Sequence, residues 1–323
     1  MKTRSFLKYL ALGAVAVAAP LSASAQGAYP SRPVKLIVPF PAGSATDLAA
    51  RVMAQQLGTA LGQGFVVENK PGAGGSIAAM DVIRSTPDGH TLFFSSNSAL
   101  ASNVALLKSM PYDPVKDLTP VAGVGETTLA LMVKHEHPAK DLKQFIDYIK
   151  QRSSKISAGY GSSTSQISIS ILNNLAKAEV LPVAYKGIPL AVNDVLSGVV
   201  DFTFVDLGNS LAQAKGGRMR ALGVTSPKRS TLAPDWPALA ETLPGFDVTA
   251  WFGIAGPAGL PQDVVDKVNR ATSQALQQPE VKEKLAGIGL QPMPMPPGEF
   301  KSFMASEVTK WQRMVKEAGI KPQ

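Results

Sequence analysis

Lys35-Leu-Ile-Val-Pro-Phe40, the breaker Pro41-Ala-Gly-Ser44 and the segment 46–62 decide the fold. An apolar run of strand length stops at a Pro-Ala-Gly turn, and helical spacing then begins. Leu48, Ala49, Val52 and Leu57 fall on one side of that helix, and Gly62 is its stop signal. A strand that feeds a helix through a short polar loop is the repeating unit of an α/β protein.

The same order continues outward. Residues 65–68 read as a strand, 69–75 as a loop, 76–85 as a helix, Pro87-Asp-Gly89 as a turn and 91–94 as a third strand. This β-α-β-α-β order predicts a mostly parallel sheet flanked by helices. After a proline-rich connection over 110–120 the pattern restarts. Strands are expected over 129–134, 156–159, 180–185, 200–205 and 221–225, with helices over 142–152, 166–178, 189–197 and 207–215. A proline-punctuated linker (227–244) and an extended aromatic-rich stretch (246–255) follow. Gly256-Pro-Ala-Gly-Leu-Pro261 then opens a helix with Asp263 in its first turn, where an acid suits the helix dipole. Val264, Val268, Ala271 and Ala275 share one face of it. A closing amphipathic helix over 300–318 carries Phe303, Val308, Trp311 and Val315 as core positions.

The C-terminal helices need a sheet to pack on, and they are expected to return to the first unit. That makes domain 1 discontinuous (26–125 plus 248–323), with domain 2 at 126–247. Two chain crossings between the domains form a hinge, and a cleft between them is the expected ligand site.

Composition removes several function classes. The 323 residues are 45% hydrophobic and 17% charged, which is globular rather than disordered. There is no cysteine, so disulfides, thiol nucleophiles and thiolate-bound metals are excluded. The N-terminus has Lys2, Arg4 and Lys8, an apolar run over 9–19 and Ala23-Ser24-Ala25. This pattern predicts a signal peptide over 1–25, cut before Gln26, in a bacterial exported protein. Its removal takes away three bases and lowers the net charge from +8 to +5. The remaining Lys and Arg are scattered, with no basic run interleaved with aromatics, so no nucleic-acid partner is expected.

Three loops at expected strand ends are rich in small hydroxyl residues: Pro41-Ala-Gly-Ser-Ala-Thr-Asp47, Ser95-Ser-Asn-Ser98 and Gly161-Ser-Ser-Thr-Ser165. In open α/β sheets ligands bind at such places. Each helix start contributes about 0.3–1 kcal/mol to a bound anion, and Gly43 and Gly161 allow close approach of the backbone. Ser44, Thr46, Ser162 and Thr164 would also serve simply as helix N-caps; three such loops together favour a ligand. Asp47 would repel a carboxylate, so bracing the loop or favouring the helix start suits it better. Asp206, at the end of the 200–205 strand, is either an acceptor for a ligand hydroxyl or amine, or a cap. Lys186, in Tyr185-Lys-Gly187, either steers an anion or is a solvated loop lysine.

Catalytic and nucleotide readings fare poorly. Asn69-Lys-Pro-Gly-Ala-Gly-Gly-Ser76 lacks P-loop spacing and is not G-x-G-x-x-G. No G-x-S-x-G elbow is present. His135 and His137 lie in a polar loop with no third ligand of matching context, and His90 has no evident triad partner. Trp251-Phe252 reads as hinge or core. A periplasmic hydrolase remains as an alternative, and no cofactor or metal is expected.

Several motifs in order resemble one family along the whole mature chain: Tyr29-Pro-Ser-Arg-Pro-Val-Lys-Leu-Ile-Val-Pro-Phe-Pro-Ala-Gly43, Thr46-Asp47, Glu68-Asn-Lys-Pro-Gly-Ala-Gly-Gly75, Pro87-Asp-Gly-His-Thr-Leu92, Tyr185-Lys-Gly187, Gly198-Val-Val-Asp201 and Ala318-Gly-Ile-Lys-Pro322. They resemble the Bug-type periplasmic solute receptors of tripartite tricarboxylate transporters. The resemblance implies a two-domain, type II-like Venus-flytrap fold in the periplasm. It also implies a small mono- or dicarboxylate ligand, aromatic acids included. The receptor would be a monomer and no enzyme, and would hand its ligand transiently to membrane transporter subunits, or serve a signalling system instead. The site roles it implies fall on Phe40, Ala42, Gly43, Ser44, Thr46 and Asp47, on Ser95, Ser96, Asn97 and Ser98, and on Ser162, Ser163, Thr164, Tyr185 and Asp206. Two departures bear on the substrate. Gly43-Ser-Ala45 stands where many relatives have Gly-Gly-Ser/Thr. Gly161-Ser-Ser-Thr-Ser-Gln166 stands where relatives often have Gly-Asn-Gly-Thr followed by His.

Overall fold

Strand β1 (Val34–Val38) leads into helix α1 (Ala45–Leu61) in a computed structural model that describes residues 29–152, 155–317 and 319–322. The expected signal peptide lies outside the described residues. Next come β2 (Phe65–Asn69), α2 (Ser76–Ile83) and β3 (Thr91–Ser96). β3 runs into a tight π-helical turn (Ser98–Ser102) and the short α3 (Asn103–Leu106). β2, β1 and β3 lie side by side and parallel. Leu36, Ile37 and Val38 are fully buried because this parallel layer is covered on both faces.

The chain then crosses the molecule in one 17-residue strand, β4 (Leu118–Lys134). It continues through α4 (Leu142–Gln151), β5 (Ser157–Tyr160), α5 (Ser163–Ala176), β6 (Leu181–Ala184), α6 (Ile188–Ser197), β7 (Phe202–Asp206), α7 (Leu207–Lys215) and β8 (Met219–Val224). It returns through β9 (Thr249–Pro257), α8 (Gln262–Gln277), α9 (Pro279–Gly287), β10 (Gln291–Met295) and α10 (Pro297–Glu317). The strand order is β2-β1-β3-β9-β4-β7-β5-β6, with β10 and β8 also paired to β4.

Parallel pairing holds among β2, β1 and β3 and among β6, β5 and β7. The strands that cross or return are antiparallel, because each carries the chain back from one half to the other. β4 changes partners between Thr128 and Leu129, from β9 to β7. Thr225, fully buried, knits this crossing together. Its hydroxyl donates to Val248 O at 2.7 Å, accepts from Leu129 N at 3.0 Å and lies 3.0 Å from Thr128 Oγ1.

Two stretches differ from expectation. The strand expected only from 129 begins at Leu118, inside the proline-rich connection. Pro120 has no N–H to give the ladder, and the register shifts beside it and again between Gly123 and Gly125. β10, Gln-Pro-Met-Pro-Met, carries two prolines and survives as a strand because it pairs only with β4 and with a register shift.

One core joins α1 to α8, with Met53 and Leu57 meeting Val265 and Val268 over the first-half strands. The second half stacks Phe145, Phe202, Phe204 and Phe246 in a chain of ring contacts 5.0–6.1 Å apart. Fully burying one such side chain stabilises by about 1.5–3 kcal/mol. α10 packs Phe300, Phe303 and Trp311 beside Trp251 of β9. There the buried Glu307 accepts from both indole N–H groups, Trp251 at 2.7 Å and Trp311 at 3.1 Å, and pairs with Lys310.

Candidate functional site

The turn between β1 and α1 is built around one carboxylate. Ser44 has extended backbone angles and caps α1 by accepting from Asp47 N at 3.3 Å. Asp47, only 2% exposed, reaches back to accept from Gly43 N–H at 2.9 Å, Arg51 Nε at 3.1 Å and Asn69 Nδ2 at 2.9 Å. Asn69 Nδ2 also donates to Phe40 O, tying β2 to the turn. Burial alone would raise the Asp47 pKa. The bonds from Arg51, Gly43 and Asn69 outweigh it and hold the carboxyl below its ordinary value. Gly43 sits at φ +80°, a left-handed conformation that needs no Cβ.

The second half presents matching turns. Ser162 and Ser165 form a reciprocal capping box at the start of α5. Gly161 lies so close to Gly187 and Ile188 that an added Cβ would come within 2.1–2.2 Å of their backbone. Tyr185 donates its hydroxyl to Asp194 at 2.6 Å; burial and that carboxylate push its pKa up to about 12. Asp206 ends β7 at the start of α7, with no capping bond from its side chain. It is 8% exposed, and burial pushes its pKa up to about 6.

The two halves touch directly. Ser163 Oγ donates to Ser98 Oγ at 2.8 Å and lies 2.5 Å from Ser102 Oγ. Asn97 Nδ2 donates to Thr164 Oγ1 at 3.0 Å, and Asn209 Nδ2 to Gly43 O at 3.3 Å. Tyr112 Oη, donating to Ala99 O at 2.6 Å, fixes the π-helical turn that presents Ser98 and Ser102. π-Helical turns recur at functional sites.

Between these contacts lie two cavities that share Phe40, Gly161 and Ser162. The inner one, about 20 Å³, is closed by Ser44, Thr46 and Ser96 from the first half and by Ser162, Thr164 and Asp206 from the second. That is room for about one water. The outer one, about 390 Å³, is lined by Gly72–Gly75, Ser98 and Asn103 on one side and Ser163, Tyr185 and Lys186 on the other. Helix starts of α1, α5 and α7 therefore converge on one cavity of hydroxyl groups set among apolar side chains, an arrangement suited to an organic anion.

Of the expected site residues, Phe40, Ser44, Thr46, Ser96, Ser98, Ser162, Ser163, Thr164, Tyr185 and Asp206 line one cavity or the other. Ala42, Gly43, Asp47, Ser95 and Asn97 line neither. Asp47 is committed to its own loop, Asn97 to Thr164, and Ser95 Oγ to Ser96 O. Sequence reasoning passed over Ala45, Ile188, Ala250 and Phe252 on the inner cavity, and Gly72–Gly75 on the outer one. Strand alternation is the signal for two of them. Ala250 and Phe252 share one face of β9, while Trp251 turns to α10. His137 packs against Phe145 and Tyr148, and His90 sits edge-on to Tyr29, both away from the cleft.

Residues 49–320 match the model of the tripartite tricarboxylate transporter family receptor, TctC. The chain belongs to this receptor family. BugT of Bordetella pertussis is 36% identical over 309 residues, covering 94% of each chain. A solved structure of R. palustris Rpa4515 with adipate superposes with a TM-score of 0.89 at 31% identity, covering 91% of this chain and 100% of that one. MatC from Rhodopseudomonas palustris, with bound malate, gives 0.84 at 33% identity, covering 89% and 100%. The chain therefore has the two-domain fold of the TctC solute receptors, the Bug proteins among them.

Proposed function

We propose that this TctC receptor works in the periplasm, capturing a small organic carboxylate between its lobes and delivering it to a tripartite tricarboxylate-type membrane transporter. The lobes are divided as 26–125 plus 248–323 and 126–247, with β4 and the approach to β9 as the two crossings. The carrying observation is the convergence of hydroxyl-lined helix starts from both lobes, Ser44 and Thr46 opposite Ser162 and Thr164, on one cavity. The first lobe holds the carboxylate on N–H groups and hydroxyls of the braced turn. The second closes over it, and the Ser98–Ser163 and Asn97–Thr164 bonds favour the closed state that a ligand selects. No covalent step, metal or cofactor takes part. The adipate and malate bound by the two solved relatives support carboxylates as the ligand class.

A thermal-shift screen over mono-, di- and tricarboxylates tests this. One or a few acids are expected to raise Tm, and Ser44→Trp is expected to remove the response while the protein stays folded. A flat response of folded wild-type protein to every acid would overturn the reading.

A further inference from the structure

Asp206 is the one ionisable side chain that lines the inner cavity. It comes from β7, is more than nine-tenths buried, and no other side chain of the described residues bonds to it. The contrast with the other buried acids is sharp. Asp47 holds three donors, and Glu307 holds two indoles and a lysine. The backbone N–H of Asp206 is the donor its carboxyl has, and an acid buried with so little compensation is costly to the ligand-free protein; its surroundings offer no cation. Facing it are Ser44, Ala45 and Thr46 from the α1 start, Ser96 from β3, Ser162 and Thr164 from the α5 start, Ile188 from α6, and Ala250 and Phe252 from β9. None of these titrates. Leu129 lies opposite on β4, Lys215 is at the far end of α7, and Tyr185 and Lys186 line the outer cavity only. Asp47 is turned away to Arg51.

An unsubstituted acid entering this space would set a second anion near Asp206, with only helix-start dipoles to offset the pair. A zwitterion brings its own counter-ion. Resting on the carboxylate-receptor reading above, we infer that Asp206 receives an ammonium group of the ligand, so that the cleft selects amino-carboxylates over unsubstituted acids of the same length. The first lobe holds the carboxylate end and the second lobe reads the amine.

Isothermal titration with matched sets tests this: alanine, lactate and propionate, then aspartate, malate and succinate. Within a set that binds, the amino acid is expected to be tightest, by roughly tenfold over the unsubstituted acid. Its affinity should rise from pH 5 to 7.5 as Asp206 ionises, while that of the unsubstituted acid falls. Asp206→Asn should erase most of the tenfold preference and leave the unsubstituted acid bound as tightly or more so, which also shows that the variant is folded. The wild-type pH series carries the test if that variant fails to fold. An unsubstituted or hydroxy acid that binds as well as the amino acid, or matching pH trends for both, overturns the assignment of Asp206 and leaves the receptor reading standing. Silence from every acid overturns the receptor reading itself.

Discussion

Two acids stand at strand-to-helix turns around the cleft, and they are used in opposite ways. Asp47 in the first lobe is buried and fully partnered, by Gly43 N–H, Arg51 and Asn69. Asp206 in the second lobe is buried with its own backbone N–H as donor and with no side-chain partner among the described residues. The first makes a loop rigid before any ligand arrives. The second leaves a buried carboxyl with no counter-charge until something arrives to supply one. Burial desolvates both groups; only the supply of donors decides whether that burial stabilises the fold or keeps a group in reserve.

The largest effect expected from this contrast is on stability at Asp206. The folded protein keeps its proton to about pH 6, whereas the ordinary carboxyl value is 3.8. The native state thus binds more protons between those values, so stability should fall as pH rises from 4 to 6 and stay lower above. At 1.36 kcal/mol per pKa unit this amounts to about 2–3 kcal/mol. Asp206→Asn should remove the slope and raise ligand-free stability at pH 7.5 by a similar amount. Urea unfolding at several pH values measures it. A less stable Asn variant would show that Asp206 is partnered after all.

Asp47 should behave with the opposite sign. Its folded pKa is lowered, so its contribution is present above the ordinary carboxyl value and lost as pH falls through the lowered one. Asp47→Ala should cost about 1–2 kcal/mol at pH 7, the scale of a lost cap and charge-assisted bonds, with Arg51 half in water contributing little of it. Ligand affinity should fall too, since Gly43 and Ser44 lose their anchor. Unfolding midpoints and titration of the variant check both, and unchanged values would separate the brace from the turn.

This difference was only half legible beforehand. The first turn could be read because Ser44 precedes a clear helical spacing, and an acid three residues beyond a cap has a known local use. The lack of a side-chain partner for Asp206 could not, since it depends on what β3, α1, α5 and β9 fail to bring near it. The start of the crossing strand β4 was hidden for a related reason. Residues 110–120 read as a connection and no strand is expected before 129; only the antiparallel partners β9 and β10 make the stretch from Leu118 a strand. Trp251-Phe252 reads as hinge or core, but which face Phe252 takes follows from the register of β9 with β3 and β4.

The smallest effect concerns how the two lobes meet. On the proposed division into lobes, the bonds of Ser163 to Ser98 and Ser102, and of Thr164 to Asn97, join the two lobes and are expected to break on opening. Ser163→Ala leaves the capping box of Ser162 and Ser165 untouched, so the fold and α5 should be unaffected. Losing a buried hydroxyl that serves two neighbours should cost the closed state about 0.5–1.5 kcal/mol. Bound ligand should then leave roughly 2–10 times faster, at nearly constant association rate, because dissociation requires opening. Stopped-flow release measures the rate, and small-angle scattering should show a larger radius for the ligand-free variant. Equal release rates would mean that closure depends on the ligand and the Asn209–Gly43 contact, with the serine cluster a passive neighbour.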